Sequence, residues 1–120
     1  MNVGIDLGQV EGALAQGIGW MTMEEISYAD NGRLLSNALS TYKVPDIFSS
    51  PKSIETIPVE TKGHDLAIRK SKAVGEPPLM YGIGAYFAIQ QAVKAFNENY
   101  TLKFDSPFTP EKVLIGLYEK

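Results

Sequence analysis

The feature that most limits how this chain folds is the run that opens at Pro77-Pro78. Leu79, Met80, Ile83, Tyr86, Phe87, Ala88 and Ile89 follow at spacings that put apolar side chains on nearly every side of a helix. A helix of that kind is buried all round. Proline suits the first turn, whose N–H groups have no partner inside the helix, so the pattern predicts a helix from Pro77-Pro78 to about Phe96. A chain of 120 residues has room for one domain and one core. Cover for such a helix is scarce in so small a domain, and self-association of the isolated chain is expected.

The other elements are expected around it. A first helix is expected to begin near Gly8, with Val10, Ala13, Leu14, Ile18 and Met21 at helical spacing and a second stripe through Gln9, Gly12, Gln16 and Gly19. Glycines 12, 17 and 19 inside it each cost about 1 kcal/mol against alanine, so close approach of another backbone or of a ligand is expected there. Ile26–Tyr28 and Arg33–Ser36 flank the turn Asp30-Asn31-Gly32 and predict a β-hairpin. Tyr42-Lys43-Val44-Pro45 reads as extended. Ile54–Thr61 alternates as a strand, kept to a sheet edge by Pro58, and Leu66–Ile68 reads as a short strand after a loop. Thr109-Pro110-Glu111 opens a short third helix with Thr109 as its cap. Residues 1–120 are thus expected to form one α+β domain, a small mixed fold with a β-hairpin and further strands packed against two main helices and a short C-terminal helix.

Composition removes several kinds of chemistry. The net charge of −3 provides no basic face for nucleic acid. With no cysteine, disulfides, thiolate metal sites and a cysteine nucleophile are excluded. His64 is the single histidine, so any metal at this chain is held by carboxylates, by an organic cofactor or by another subunit. No segment reads as a signal peptide, and the apolar stretch Leu79–Phe87 is too short to span a bilayer. The cytoplasm is the expected location, with no membrane partner.

Glu76 is the residue that most invites a chemical role. It stands between Gly75 and Pro77; the proline is expected to hold it extended, and Gly75 frees the turn before it. A carboxylate fixed on a stiff turn at a helix start, poorly solvated yet ionised, is a usable general base. The alternative is a glutamate that merely caps the helix. Gln9, Gly12 and Gln16 share a face that either hydrogen-bonds a polar cofactor or packs small residues against another helix beneath solvated amides. Gly4–Gly8 lacks the lysine and hydroxyl of a phosphate loop. His64 is expected in an exposed loop. Tyr42 and Lys43, and the basic residues Arg69, Lys70 and Lys72, read as packing and surface, with a role near an anion or a site as the alternative. Trp20, Met21 and Met23 are expected to fill the core.

Three separated stretches carry a resemblance. Asp6-Leu7-Gly8-Gln9-Val10-Glu11-Gly12 with Gln16-Gly17, then Ser40-Thr41-Tyr42-Lys43-Val44-Pro45, then Lys72-Ala73-Val74-Gly75-Glu76-Pro77-Pro78 resemble, in order and spacing, the closing segment of the xanthine dehydrogenase and aldehyde oxidase family. Asp105-Ser106-Pro107 with Thr109-Pro110-Glu111-Lys112 resembles that family's C-terminal tail. The resemblance implies the C-terminal part of a molybdenum-cofactor-binding domain. By it, Glu76 takes the place of the base that removes a proton from the attacking hydroxyl, and Gln9 the place of an amide that contacts molybdopterin. Gly8, Gly12 and Gly75 then line the cofactor side. The implied reaction is oxidative hydroxylation of a purine, another N-heterocycle or an aldehyde. The implied partners are the rest of the molybdenum domain, iron–sulfur and flavin subunits, and a small-molecule substrate. The lone chain is expected to be inactive and free of cofactor, because this family builds its site from much longer chains. A remnant or interaction module that keeps the fold without the reaction is the other reading.

Overall fold

The computed structural model describes residues 2–120. The chain is built on three α-helices: α1 (Val3–Thr22), α2 (Ile83–Phe96) and α3 (Pro110–Tyr118). Two 3₁₀ helices, Ile68–Lys70 and Pro77–Gly82, lie between α1 and α2, and the second runs straight into α2.

α1 begins one and a half turns earlier than its apolar stripe suggests. Asn2 caps it, the side-chain Oδ1 accepting from the N–H groups of Gly4 and Ile5 at 3.1 and 3.4 Å, and Asp6 lies in the first turn. Periodicity misses this turn because Val3 and Ile5 are exposed and belong to no buried face. α3 starts where its signals place it: Thr109 Oγ1 accepts from the Lys112 N–H, and Pro110 occupies the first helical position.

The expected α+β architecture is not what the chain adopts. Among the described residues there is no strand, and a single antiparallel bridge, Tyr28 to Leu34, is all that remains of the hairpin. The turn itself forms, with Gly32 in the left-handed region at φ +80° and its N–H donating to the Ala29 carbonyl. Pairing then stops, because the Ser27 N–H donates to the Ser36 hydroxyl where a ladder would supply a carbonyl. Ile26 and Tyr28 stay exposed, and a two-stranded ribbon with no face to pack is marginal. Ile54–Thr61 forms no strand either. Ile57 and Val59 are both largely exposed, so the alternation finds neither a neighbouring strand nor a core. The expected strand at Leu66–Ile68 is replaced by the turn that leads into the first 3₁₀ helix.

The core lies where α2 and α3 meet the segment between them. Tyr86 and Val93 from α2 pack with Tyr100 and Phe108, and Met21, Ile89, Val113 and Leu117 close around them. Gln90 is buried at its centre, yet fully paired: its amide donates to the Lys103 carbonyl, and its oxygen accepts from the Lys103 N–H at 2.8 Å and the Tyr100 hydroxyl at 3.1 Å. The side-chain amide thus takes the place of a backbone partner for an otherwise unladdered segment. The Phe108 N–H donates to the Met21 carbonyl and ties the same segment to the end of α1.

The helix that opens at Pro77 is not buried all round. Met80, Tyr81 and Phe87 are exposed, as is Trp20, which was expected in the core. The reason is shortage of cover. A folded chain of 13.1 kDa ordinarily exposes about 6,400 Å², whereas this one exposes 9442 Å². Its radius of gyration is 18.1 Å, against about 14 Å for a compact chain of this length.

Candidate active site

The site rests on a close crossing of two backbones. A Cβ added to Gly17 of α1 would lie 2.0 Å from the Leu79 carbonyl oxygen, and one added to Gly82 would lie 2.1 Å from the Gly17 carbonyl carbon. Only glycine fits at either position. Gly19 is similarly close to Pro45 and the Glu24 carboxylate. Gly82 was not singled out from sequence, although the breaks at Gly82 and Gly84 in an apolar run were the available signal. At the other end of the same segment, a Cβ on Gly75 would sit 3.9 Å from Oε1 of Gln9. Residues 75–82 therefore run along α1 from the level of Gln9 to the level of Gly17.

Glu76 falls between those two fixed points. It faces a groove of about 350 Å³ lined by Gly8, Gln9, Gly12, Ala13, Gln16, Gly75 and Glu76 itself. All the residues singled out as cofactor-facing or catalytic thus meet in one place. Ala13, four residues after Gln9, lines it too, although the sequence placed it only on the apolar stripe of the first helix. Gly8 and Gly12 have nothing within 4 Å of where a Cβ would stand. Their smallness leaves space open above α1 and does not serve helix packing.

The local conformation of Glu76 differs from expectation. It is helical (φ −47°, ψ −31°), not extended. Its carbonyl accepts from the Leu79 N–H at 2.9 Å, and this first turn offsets the steric preference that a following proline imposes. Glu76 occupies the cap position of this 3₁₀ helix, and its side chain makes no capping hydrogen bond. The ion pairs among the described residues are Lys70–Asp65, Lys103–Glu119 and Lys112–Asp105, and Glu76 belongs to none. Its carboxylate is exposed in the shallow groove, as are Gln9 and Gln16.

The remaining candidates lie elsewhere. His64 is exposed, and its Nδ1 accepts from the Leu66 N–H at 3.1 Å. Lys70 pairs with Asp65, Lys72 donates to the Thr61 hydroxyl, and neither these nor Arg69 lines the groove. Tyr42 donates to Glu24 Oε2 at 2.5 Å. That bond holds its phenol above the usual tyrosine range, with burial and the charge of Glu24 adding to the effect. Among the described residues no three of the side chains His, Cys, Asp or Glu gather as a metal-binding group, and no helix is long and apolar enough to cross a membrane.

Residues 1–51 match the molybdopterin cofactor-binding domain family. The xanthine dehydrogenase/oxidase of Rattus norvegicus is 42% identical over 119 residues, which cover 94% of this chain and 9% of that protein. Xanthine dehydrogenase 2 of Arabidopsis thaliana is 34% identical over 131 residues, covering 100% and 10%. The crystal structure of quinoline 2-oxidoreductase from Pseudomonas putida 86 superposes with a TM-score of 0.83 at 28% identity, over 99% of this chain and 15% of that one. The chain is a segment of the molybdenum hydroxylase family. It spans about a tenth of the length of the curated relatives it matches. For a molybdenum hydroxylase segment the groove has suitable donors. Two side-chain amides provide both donors and acceptors, and the open glycine floor admits an organic heterocycle.

Proposed function

We propose that this chain supplies the general base and part of the molybdopterin contact to a xanthine-dehydrogenase-like hydroxylase, as the C-terminal part of its cofactor domain. The observation that carries the proposal is a carboxylate with no hydrogen bond or ion pair among the described residues, Glu76, facing amide side chains across an open, glycine-floored groove. The substrate class is a purine or other N-heterocycle, or an aldehyde, oxidised at an electron-poor carbon. The bound molybdenum–pterin group supplies the two-electron oxidation. Gln9 hydrogen-bonds the pterin, and Gly8, Gly12 and Gly75 let it approach the backbone. One Glu76 carboxylate oxygen would accept the proton of the hydroxyl that adds to the substrate carbon, while the hydrogen displaced from that carbon would leave with its electron pair, the two-electron oxidation that the molybdenum–pterin group would supply. Cofactor enzymes ask this of the protein: orientation and proton transfer.

One helix face and one carboxylate cover a single side of a large cofactor. The rest of the cofactor domain is therefore a required partner, and iron–sulfur and flavin modules carry the electrons away. In an enzyme reconstituted with that partner, Glu76→Gln keeps the shape and loses the base. Turnover is expected to fall roughly 10²–10⁴-fold with molybdenum content unchanged. Activity retained within a few fold refutes the assignment, and stoichiometric molybdenum on the lone purified chain refutes the need for a partner.

A further inference from the structure

Residues 51–63 form a run of backbone that this chain leaves unpaired. Among the described residues none of their N–H groups or carbonyls takes part in a backbone hydrogen bond, and residues 53–64 contain no helix, strand, turn or bend. Stretches of that length without structure of their own are uncommon in small domains and usually have a function. The residue types suit a strand and not a loop, since Ile54, Thr56, Ile57, Val59 and Thr61 are β-branched. Burial alternates as it does in a strand: Ile54 and Thr56 are half-buried, Glu55 and Ile57 exposed. One face therefore lies against this chain, and the other presents Ile57 and Val59, 76% and 79% exposed. The open run ends at Gly63, where an added Cβ would collide with the Lys70 carbonyl.

Pro58 distinguishes the two edges of this run. In an extended chain the backbone groups of successive residues point to opposite edges. Residues 54, 56, 58 and 60 serve one edge, and 55, 57, 59 and 61 the other. Proline has no N–H, so the first edge lacks a donor at its middle, whereas the second has one at every position. From this pattern we infer that residues 54–61 are a docking edge, on which a β-strand of the rest of the cofactor domain pairs with the backbone of Glu55, Ile57 and Val59. The inference rests on the proposed function, which makes that remainder a required partner. This chain offers the run no strand to pair with, and an unpaired edge is a template for another polypeptide. Main-chain bonds supply the affinity, and cross-strand neighbours cover Ile57 and Val59. The superposition on quinoline 2-oxidoreductase covers 99% of this chain and 15% of that one, so a fold like this one exists with several times its own length of polypeptide beside it.

Hydrogen–deuterium exchange, read residue by residue, tests the docking edge in the 120-residue chain and in enzyme reconstituted with the rest of the cofactor domain. In the lone chain the amides of residues 54–61 are expected to exchange near the free-peptide rate. In the complex Glu55, Ile57 and Val59 are expected to slow by about a hundredfold or more, with Thr56 and Glu60 still fast. No slowing, slowing at Thr56 and Glu60 instead, or equal slowing throughout overturns the inference. Slowing that is present in the lone chain and grows with concentration assigns the edge to a second copy and overturns it as well. Binding is the second readout. Ile57→Pro removes a donor from the docking edge and is expected to weaken association roughly tenfold to a hundredfold. Ile57→Ala keeps that donor and is expected to lose less, and Glu60→Pro, on the far edge, to stay within about threefold. Equal losses in Ile57→Pro and Ile57→Ala overturn the pairing. If Ile57→Pro binds normally while Glu76→Gln abolishes turnover, the docking edge fails and the base assignment stands. If the rest of the domain does not bind the unaltered chain, the proposed function fails, and the docking edge with it.

Discussion

Gly17→Ala is the substitution whose consequence follows most directly from the fold. The added Cβ would lie 2.0 Å from the Leu79 carbonyl oxygen, 3.0 Å from its carbon and 3.1 Å from the Gly82 Cα. All three are backbone atoms, so no side-chain rotation relieves the clash. Ordinary contact begins at about 3.4 Å, and α1 and the 3₁₀ helix must separate by more than 1 Å to reach it. Overpacking a tight contact costs about 1–3 kcal/mol, and a backbone-to-backbone clash belongs near the top of that range. Alanine returns about 1 kcal/mol of helix propensity, so the net loss is about 2 kcal/mol. Gly12→Ala, five residues earlier in the same helix, meets nothing within 4 Å and should keep the full gain of about 1 kcal/mol. Urea unfolding followed by far-ultraviolet circular dichroism measures both. The midpoint should fall for position 17 and rise for position 12, with unchanged slope. Equal midpoints, or a fall at position 12, would refute the crossing as the element that sets the register of the Glu76 segment.

Gln90→Leu removes the partner of the Lys103 N–H and of the buried Tyr100 hydroxyl, while the Lys103 carbonyl keeps the Tyr86 hydroxyl; an unsatisfied group costs about 1–3 kcal/mol when buried and less when half-exposed, so a loss of about 2 kcal/mol is expected in the same unfolding assay. Alkaline titration is a second check. The Tyr42 phenol is raised by its bond to Glu24, and the Tyr100 phenol by burial. For a phenol raised in the folded state, the stabilisation is complete below the unfolded value of about 10 and disappears as pH climbs through the folded value. In the tyrosinate absorbance near 295 nm, Tyr42→Phe and Tyr100→Phe should each remove a step above about pH 10. Loss of a step at the ordinary value in either variant would contradict the environment of that phenol.

What sequence made legible here was local chemistry. The cap at Thr109, the proline at the start of α3 and the end of α2 are decided within a few residues, and the structure follows them. The left-handed turn at Gly32 is decided in the same way. The strands were not legible, because alternation states how a segment would behave beside a partner and carries no information about whether one exists. Ile54–Thr61 has the pattern and no paired neighbour among the described residues. The start of α1 was missed for the complementary reason: Asn2 and Asp6 signal a helix without any buried stripe. The groove was legible as a set of residues, since Gln9, Gly12 and Gln16 share a helix face at any α-helical geometry. That Gly75 and Glu76 stand opposite them is a long-range contact, which no local pattern encodes.

The helix glycines divide by what faces them, and the division bears on how much of the site is here. Gly17, Gly19 and Gly82 are required by atoms of this chain. Gly8, Gly12 and Gly84 have nothing within 4 Å of an added Cβ among the described residues, yet each costs its helix about 1 kcal/mol. The same surfaces carry the exposed apolar side chains Ile5, Met80 and Tyr81 and contribute to the roughly 3,000 Å² by which the exposed area exceeds the ordinary value for this mass. A stable interface between two proteins buries about 1,200–2,000 Å² in total, so the excess is large enough for more than one contact. Under the proposed function these glycines, which meet nothing within 4 Å, and a carboxylate outside the ion pairs of the described residues are accounted for together: the space beside them is what a cofactor and further protein would fill.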